Sequence, residues 1–132
     1  MNVKIYPSKA VGEAVAPPSK SMAHRALICG ALSKGSVIEN ISFSKDILAT
    51  LSCLEALGAK TEISGTTVKI GGLDPNNVPD NAKLYCNESG STLRFMIPLC
   101  LLTNKKITLT GAKRLFERPL EIYEDICKAN GI

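Results

Sequence analysis

The chain has 132 residues, a hydrophobic content of 45% and a formal net charge of +4 at pH 7. These totals fit a single modest globular domain with a buried core, and the mild charge favours small anions as readily as nucleic acid. No apolar run approaches the length of a membrane span, and the N-terminus has no long apolar run after its first lysine. We therefore expect a cytoplasmic protein with no membrane partner.

The sequence breaks at turn-forming residues into alternating strand and helix patterns. Residues 64 and 65 are expected to form a hairpin turn between two of the strands. The predicted elements, in chain order, are strands over 2–6 and 11–16, a helix over 20–33, a strand over 36–41, a helix over 45–57, strands over 60–63, 67–73 and 83–86, a helix over 90–103, a strand over 106–111 and a helix over 119–130.

Particular residues mark the ends of these helices. Ser19 can supply the side-chain oxygen that a helix start needs, Gly58 ends the second helix, and Pro119 suits the first position of the last one. The helix that begins at Lys20 is apolar all round over residues 26–32, and the one that begins at Gly90 is nearly so over residues 95–102, which predicts burial of these stretches on every side. The second helix has one apolar face, formed by Ile47, Leu48, Leu51, Leu54 and Leu57.

The succession of helix, strand and helix recurs after about 70 residues, which indicates an internal repeat. Arg25 aligns with Arg94, each near the start of an apolar helix. We assign residues 17–83 to the first unit and residues 84–132 to the second. The second unit stops after its helix, whereas the first continues into two strands, so we expect a piece of a longer protein. A natural short protein with a smaller second unit is the alternative.

The five cysteines lie at positions 29, 53, 86, 100 and 127, without CxxC spacing. No Cys, His and Asp residues stand at the spacing of a metal site, so no metal ion is predicted. We expect buried, reduced thiols, because a free cysteine behaves as a small hydrophobic residue. Cys86 is the cysteine to test for reactivity, since it lies beside a polar turn.

The start of the first apolar helix carries cations. A helix start presents free N–H groups and a partial positive charge, so cationic side chains there make an anion site. Ser21 and Arg25 stand four residues apart on one face, where the arginine can hold a carboxylate or phosphate with two hydrogen bonds. Lys20 adds a movable charge. We predict a small-anion site, with a solvated helix cap as the alternative.

The start of the second apolar helix differs, because Gly90 lets a ligand approach the backbone without a Cβ in the way. Arg94 can turn toward the same start, and Arg118 lies just before the last helix. Glu88 opposes anion binding unless it pairs with a cation.

Two further polar residues lie near these starts. Asp46 is expected to be a first-turn acid favoured by the helix dipole. His24, the only histidine, is expected to have a surface or packing role, with catalysis as the alternative.

The segments PPSKSMAHRALICGALSKGS, NESGSTLRF and KRLFERPL, with LEALGAK between them, resemble the 5-enolpyruvylshikimate-3-phosphate synthase family over essentially the whole chain. The resemblance implies an α/β enolpyruvyl transferase fold, an inside-out α/β barrel whose repeated units place helices inside and sheets outside. It implies two such domains around a cleft. This chain would hold part of one domain, while residues 1–16 would form strands of the other.

The resemblance also implies a transferase of the shikimate pathway, which makes aromatic amino acids. The enzyme moves the enolpyruvyl group of phosphoenolpyruvate to the 5-hydroxyl of shikimate 3-phosphate and releases phosphate, without metal or organic cofactor and as a monomer. Matching positions imply these roles: Lys20 contacts both substrates, Ser21 and Arg25 bind shikimate 3-phosphate, Gly90 and Arg118 bind phosphoenolpyruvate, and Arg94 and Asp46 support them.

The chain differs from the family pattern at one position and lacks the family's catalytic acid and base. Glu88 stands where the family suggests a small or amide residue. The family's catalytic acid and base lie in segments that this chain does not contain, so no catalytic residue is assigned here. We expect the chain alone to be inactive and to need the remainder of the enzyme.

Three other readings compete. A UDP-N-acetylglucosamine enolpyruvyl transferase would share fold and chemistry, but we expect it to lack the Ser-Lys-Ser-x-x-x-Arg run. A non-enzymatic anion-binding or RNA-binding module would use aromatic stacking beside the cations, for which only Tyr85, Phe95 and Phe116 are candidates. A structural partner that completes its fold against another chain is the third.

Overall fold

The computed structural model describes residues 2–132, and it describes the side chains in that range apart from that of Lys113. The described residues form helices and short strands in alternation, as the sequence predicts. In chain order they are α1 (Lys20–Ala31), β1 (Ser36–Ile38), α2 (Lys45–Ala56), β2 (Lys60–Ser64), β3 (Thr67–Gly71), a 3-10 turn (Pro75–Asn77), β4 (Lys83–Tyr85), α3 (Gly90–Leu101), β5 (Thr108–Thr110), α4 (Lys113–Phe116) and α5 (Glu121–Ala129).

Serine residues cap the starts of the three long helices. The hydroxyl oxygens of Ser19, Ser44 and Ser89 each accept a hydrogen bond from a backbone N–H three residues later, at 3.2 to 3.3 Å. The predicted cap at Ser19 is therefore confirmed. Pro119 is not the first helical residue of α5, because the Leu120 carbonyl accepts the first helical hydrogen bonds.

In the first unit, α1 and α2 pack against an antiparallel sheet with the strand order β1, β3, β2. The β2–β3 hairpin turns at Gly65 and Thr66, and Gly65 has a φ of +57° that few side chains tolerate. Strand β1 ends at Ile38, before Asn40 adopts a φ of +57°, so it is shorter than predicted. The buried core of this unit includes Leu27, Ile41, Ile47, Leu51, Leu54, Leu57, Val68 and Ile70.

In the second unit, β4 and β5 pair in parallel, and α3 forms the connection between them. Met96 and Leu93 of α3 and Leu84 of β4 join the same core as the first unit. The short helix α4 was not predicted from the sequence. Helix α5 contains no buried residue in the described chain.

The strands predicted over 2–6 and 11–16 do not form within the described chain. Residues 2–16 form no strand in the described structure and are exposed throughout. A strand requires a second backbone to complete its hydrogen bonds, and no other described segment pairs with these residues. Their assignment to another domain stays a prediction, and Met1 lies outside the described residues.

The prediction that α1 and α3 are buried on every side is also wrong. Cys29 of α1 is exposed and Leu101 of α3 is 41% exposed, because no other described element covers those faces. On α2, Leu48 is 47% exposed, since it points about 100° around the helix from Ile47. Among the described helices, none combines the length and the apolar character that crossing a bilayer requires.

Candidate functional site

The starts of α1 and α2 are joined by an ion pair. Lys20 is the first residue of α1 and Asp46 lies in the first turn of α2. The Lys20 Nζ atom is 2.6 Å from Asp46 Oδ2. Both side chains are partly exposed, so an anion could reach the lysine. Asp46 is therefore the acid that holds the Lys20 ammonium group at the mouth of α1.

At the start of α3, two arginine side chains occupy the space that a side chain at position 90 would fill. A Cβ added at Gly90 would overlap Arg118 Nη1 and would lie 3.0 Å from Arg94 Nη1. Arg94 Nη2 in turn donates to the Pro119 carbonyl oxygen at 3.4 Å. Two guanidinium groups thus converge on the positive end of a helix whose first residue has no side chain. This arrangement can bind a small anion such as a phosphate or a carboxylate.

A cavity of about 380 Å³ opens beside this start, lined by Glu88, Arg114, Leu115, Glu117 and Arg118. Its wall carries charges of both signs. Glu88 therefore lies in the same cavity wall as Arg114 and Arg118.

Ser21 and Arg25 lie together on α1, as their spacing predicts. Arg25 Nη1 donates to the backbone oxygen of Ser21 at 2.8 Å. The Arg25 guanidinium also lies 5.2 Å from the centre of the Phe95 ring on α3, a cation–π contact. Arg25 is thus held at the side of α1 that faces α3.

The three helix starts meet at one end of the helix layer. The Thr92 hydroxyl on α3 donates to the Asp46 carbonyl on α2 at 3.3 Å, and Asp46 pairs with Lys20 on α1. The structure therefore brings together the residues chosen from the sequence. It joins Lys20 to Asp46, Ser21 to Arg25, and Gly90 to Arg94 and Arg118.

A buried polar network behind these starts was missed from the sequence. His24 Nδ1 lies 2.8 Å from Thr50 Oγ1, which lies 2.8 Å from Thr92 Oγ1, which lies 2.8 Å from Ser89 Oγ. A signal for it exists, because Thr50 falls between Ile47 and Leu54 on the apolar face of α2. A hydroxyl at such a position must find a buried partner. His24 is fully buried, so it has a packing role rather than a surface role.

Burial lowers the pKa of His24, and nearby Asp46 opposes that shift while Lys20 and Arg25 add to it. The imidazole is therefore neutral at pH 7. Its Nε2 atom is buried without a hydrogen-bond partner among the described residues.

Cys86 is fully buried, although its neighbourhood in the sequence is polar. A hydrogen bond with Cys86, together with burial, raises the pKa of Cys53, and burial raises the pKa of Cys100 to about 11. A hydrogen bond with Cys53 lowers the pKa of the Cys86 thiol, and burial opposes that shift. Because the Cys86 side chain is fully buried, it is not accessible to reagents as its sequence position suggested. Cys29 is exposed, which contradicts the prediction of burial for that residue.

The sequence and the fold of this chain have counterparts among known proteins. A family model described as EPSP synthase (3-phosphoshikimate 1-carboxyvinyltransferase) matches residues 5–132. A 3-phosphoshikimate 1-carboxyvinyltransferase of Clostridium perfringens is 46% identical over 125 residues, which are 94% of this chain and 30% of that protein. Its counterpart from Clostridioides difficile is 47% identical over 135 residues, covering 95% of this chain and 31% of that protein.

A solved structure of EPSP synthase from Acinetobacter baumannii superposes with a TM-score of 0.76 at 26% identity, covering 86% of this chain and 26% of that one. The chain belongs to the EPSP synthase family. The resemblance and the α/β fold class predicted from the sequence are thereby confirmed. The chain spans about 30% of the length of the curated relatives it matches.

Proposed function

We propose that this chain supplies the cationic helix starts of the substrate site of a 3-phosphoshikimate 1-carboxyvinyltransferase of the shikimate pathway. In that reaction the 5-hydroxyl of shikimate 3-phosphate adds to C2 of phosphoenolpyruvate while C3 gains a proton. The tetrahedral adduct then loses phosphate and a proton from C3. Both substrates are polyanions, and the convergence of Arg94 and Arg118 on Gly90 is the observation that carries the proposal. No metal or organic cofactor is invoked, and no catalytic acid or base is assigned to this chain.

The proposal divides the binding residues between the two substrates. Gly90 and Arg118 contact phosphoenolpyruvate, whose phosphate and carboxylate suit a guanidinium beside a helix start. Ser21 and Arg25 contact shikimate 3-phosphate, and Lys20 contacts both. This division comes from the positions that match the family.

Two residues support the binding groups rather than contact substrate. The hydrogen bond from Arg94 to the Pro119 carbonyl ties the segment next to Arg118 to the start of α3. Asp46 holds the Lys20 ammonium group through the 2.6 Å ion pair. Removal of either support should loosen a binding group without removing it.

The proposal predicts that the 132-residue chain binds phosphoenolpyruvate but does not turn over. Transition-state stabilisation in a two-substrate reaction needs groups that converge from every side of the substrates. We expect no release of phosphate when the chain is mixed with both substrates, and a dissociation constant of about 1 mM for phosphoenolpyruvate. NMR titration and a phosphate assay measure the two quantities. Turnover at an ordinary enzymatic rate would contradict the prediction of inactivity.

The substitution Gly90→Ala tests the binding site directly. The added Cβ would collide with the Arg118 guanidinium, which must move away from the helix start. We expect the affinity for phosphoenolpyruvate to fall about tenfold, the loss expected for a charge-assisted hydrogen bond. Gly35→Ala is the matched control, because a Cβ there would meet no atom within 4 Å. Equal affinities in the two variants would refute the assignment of Gly90 and Arg118 to phosphoenolpyruvate.

A cytoplasmic location and a monomeric complete enzyme belong to the same proposal. Buried, unpaired thiols such as Cys53 and Cys86 suit a reducing compartment. An RNA-binding function would instead show an affinity for single-stranded RNA that falls steeply with salt, and that result would argue against the proposal.

A further inference from the structure

The polar network behind the helix starts is almost completely shielded from water. His24, Thr50 and Thr92 are 0% exposed and Ser89 is 2% exposed. They belong in turn to α1, α2 and the start of α3, so the chain of hydrogen bonds crosses the three helices. Burying hydroxyl and imidazole groups costs free energy that apolar side chains of similar size would not cost. The network therefore needs a reason beyond packing.

The hydrogens along this chain have a preferred direction. Each threonine has one hydroxyl hydrogen to donate. If His24 Nδ1–H donates to Thr50, then Thr50 donates to Thr92, and Thr92 donates to Ser89 Oγ or to the Asp46 carbonyl. The reverse direction would leave an Nε2–H group buried without an acceptor, which is rarer in proteins than an unpaired acceptor. We assign the Nδ1–H tautomer to His24 on this ground.

Each member of the network lies within about one helical turn of a residue at the helix starts. Lys20 precedes His24 by four residues on α1, and Asp46 precedes Thr50 by four residues on α2. Residues four apart on a helix lie on the same face. Gly90 precedes Thr92 in the first turn of α3. The hydrogen bonds therefore tie together the same three helix ends that carry Lys20, Asp46 and Gly90.

We propose that His24, Thr50 and Thr92 are positioning residues, which fix the three helix starts relative to one another so that their binding groups converge. The proposal rests on the proposed function, since it concerns the same site. The network does not relay protons to a substrate, because its His24 end stops at a buried Nε2 atom. Its effect is geometric. A break in the middle of the network lets α1 and α2 shift against α3 and separates Lys20 from Gly90 and Arg118.

The variants Thr50→Val and His24→Leu test the proposal, because each breaks the network while keeping the volume similar. His24→Asn is the conservative rescue, since the asparagine amide can still donate to Thr50. Thr103→Val is the control, because it removes a threonine hydroxyl bond to the Cys100 carbonyl near the other end of α3. The probe is phosphoenolpyruvate, titrated into each variant of the 132-residue chain and followed by NMR, with urea unfolding of each variant as the measure of stability.

We expect Thr50→Val and His24→Leu to weaken phosphoenolpyruvate binding about tenfold, and His24→Asn and Thr103→Val to change it less than about twofold. Unchanged affinity in all four variants would overturn the proposal. So would losses that follow lost stability alone, with the asparagine variant no better than the leucine variant.

A separate measurement keeps the proposal distinct from the proposed function. If the wild-type chain fails to bind phosphoenolpyruvate, the proposed function fails, and the network is then judged by hydrogen exchange. Exchange of the Leu93 and Met96 amides in α3 should be about tenfold faster in Thr50→Val than in Thr103→Val. Equal exchange in these two variants would overturn the positioning role even if phosphoenolpyruvate binds.

Discussion

The two units predicted from the sequence each begin with a serine-capped helix, but their second helices are buried to different extents. In the first unit, α2 lies between α1, α3, β2 and β4, and Leu51 and Leu54 of α2 are 3% and 0% exposed. In the second unit, α5 is amphipathic, yet Ile122 and Ile126 are 70% and 53% exposed. The β2–β3 hairpin follows α2, and no described strand follows α5. An amphipathic pattern thus predicts a helix, but burial depends on which element faces it.

The largest expected effect is a difference in stability between two side-chain substitutions to alanine, one in α2 and one in α5. Leu54→Ala in α2 should lower the free energy of unfolding by about 3 kcal/mol, because it opens a cavity in a closed core. Ile126→Ala in α5 should lower it by less than about 0.5 kcal/mol, since its side chain is already half in water. Urea unfolding of both variants measures the difference. Equal losses would show that α5 is packed as tightly as α2.

A smaller effect is the pH dependence of stability that His24 causes. In the predicted repeat alignment, Leu93 of α3 takes the place of His24 in α1. The folded-state pKa of His24 is lowered from 6.5, mainly by burial, so the imidazole gains its proton more readily when the chain unfolds. The stability that this provides is present above pH 6.5 and is lost as the pH falls from 6.5 to the lowered pKa. Urea midpoints measured between pH 8 and pH 5 should show this loss.

The variant His24→Leu gives α1 the residue of the second unit and should remove this part of the pH dependence. His24→Asn is the control, because it also cannot titrate but retains a donor for Thr50. Unchanged pH dependence in both variants would show that His24 is not the group responsible.

The smallest expected effect concerns the ion pair between Lys20 and Asp46, which lies at the helix starts of the first unit. The second unit has Gly90 at the start of α3 instead. Asp46→Asn removes the partner of Lys20, and a partly exposed pair of this kind contributes about 0 to 1 kcal/mol to stability. Because the Asp46 charge raises the pKa of His24, the variant should lower that pKa further. As His24 is the only histidine, one NMR titration of its ring resonances measures the shift. A rise in the His24 pKa would contradict the placement of Asp46 beside it. Glu62→Gln is the control, since Glu62 pairs with Lys69 on the sheet instead.

Much of the candidate site could be predicted because its members lie in short segments with local signals. Ser19 was predicted to cap α1, and it does so in the structure. Ser21 and Arg25 are in contact because four residues make about one helical turn. Gly90 could be singled out for its missing Cβ. The spacing of four residues also predicts that Arg94 can turn toward this start. For Arg118 the resemblance implied a place beside Gly90, but no local pattern could predict it, because Arg118 comes from a segment after β5 whose path depends on the packing of α4.

The failed predictions share a physical cause. Residues 2–16 alternate as strands do, but alternation states only which side chains share a face and supplies no partner for the backbone. Likewise, the apolar composition of α1 predicts that it can be buried, whereas Cys29 is exposed because no described element covers that face.

The sequence by itself determined where α1, α2 and α3 begin and which cations stand at their starts. These features depend on caps and side-chain spacing within a few residues. Only the tertiary structure decided that Lys20 meets Asp46 across 26 positions and that Thr50 meets Thr92 across 42. Such contacts arise when apolar faces pack and bring distant helices together. The residues that meet at the edge of the core depend on the relative positions of whole helices, which no local pattern specifies.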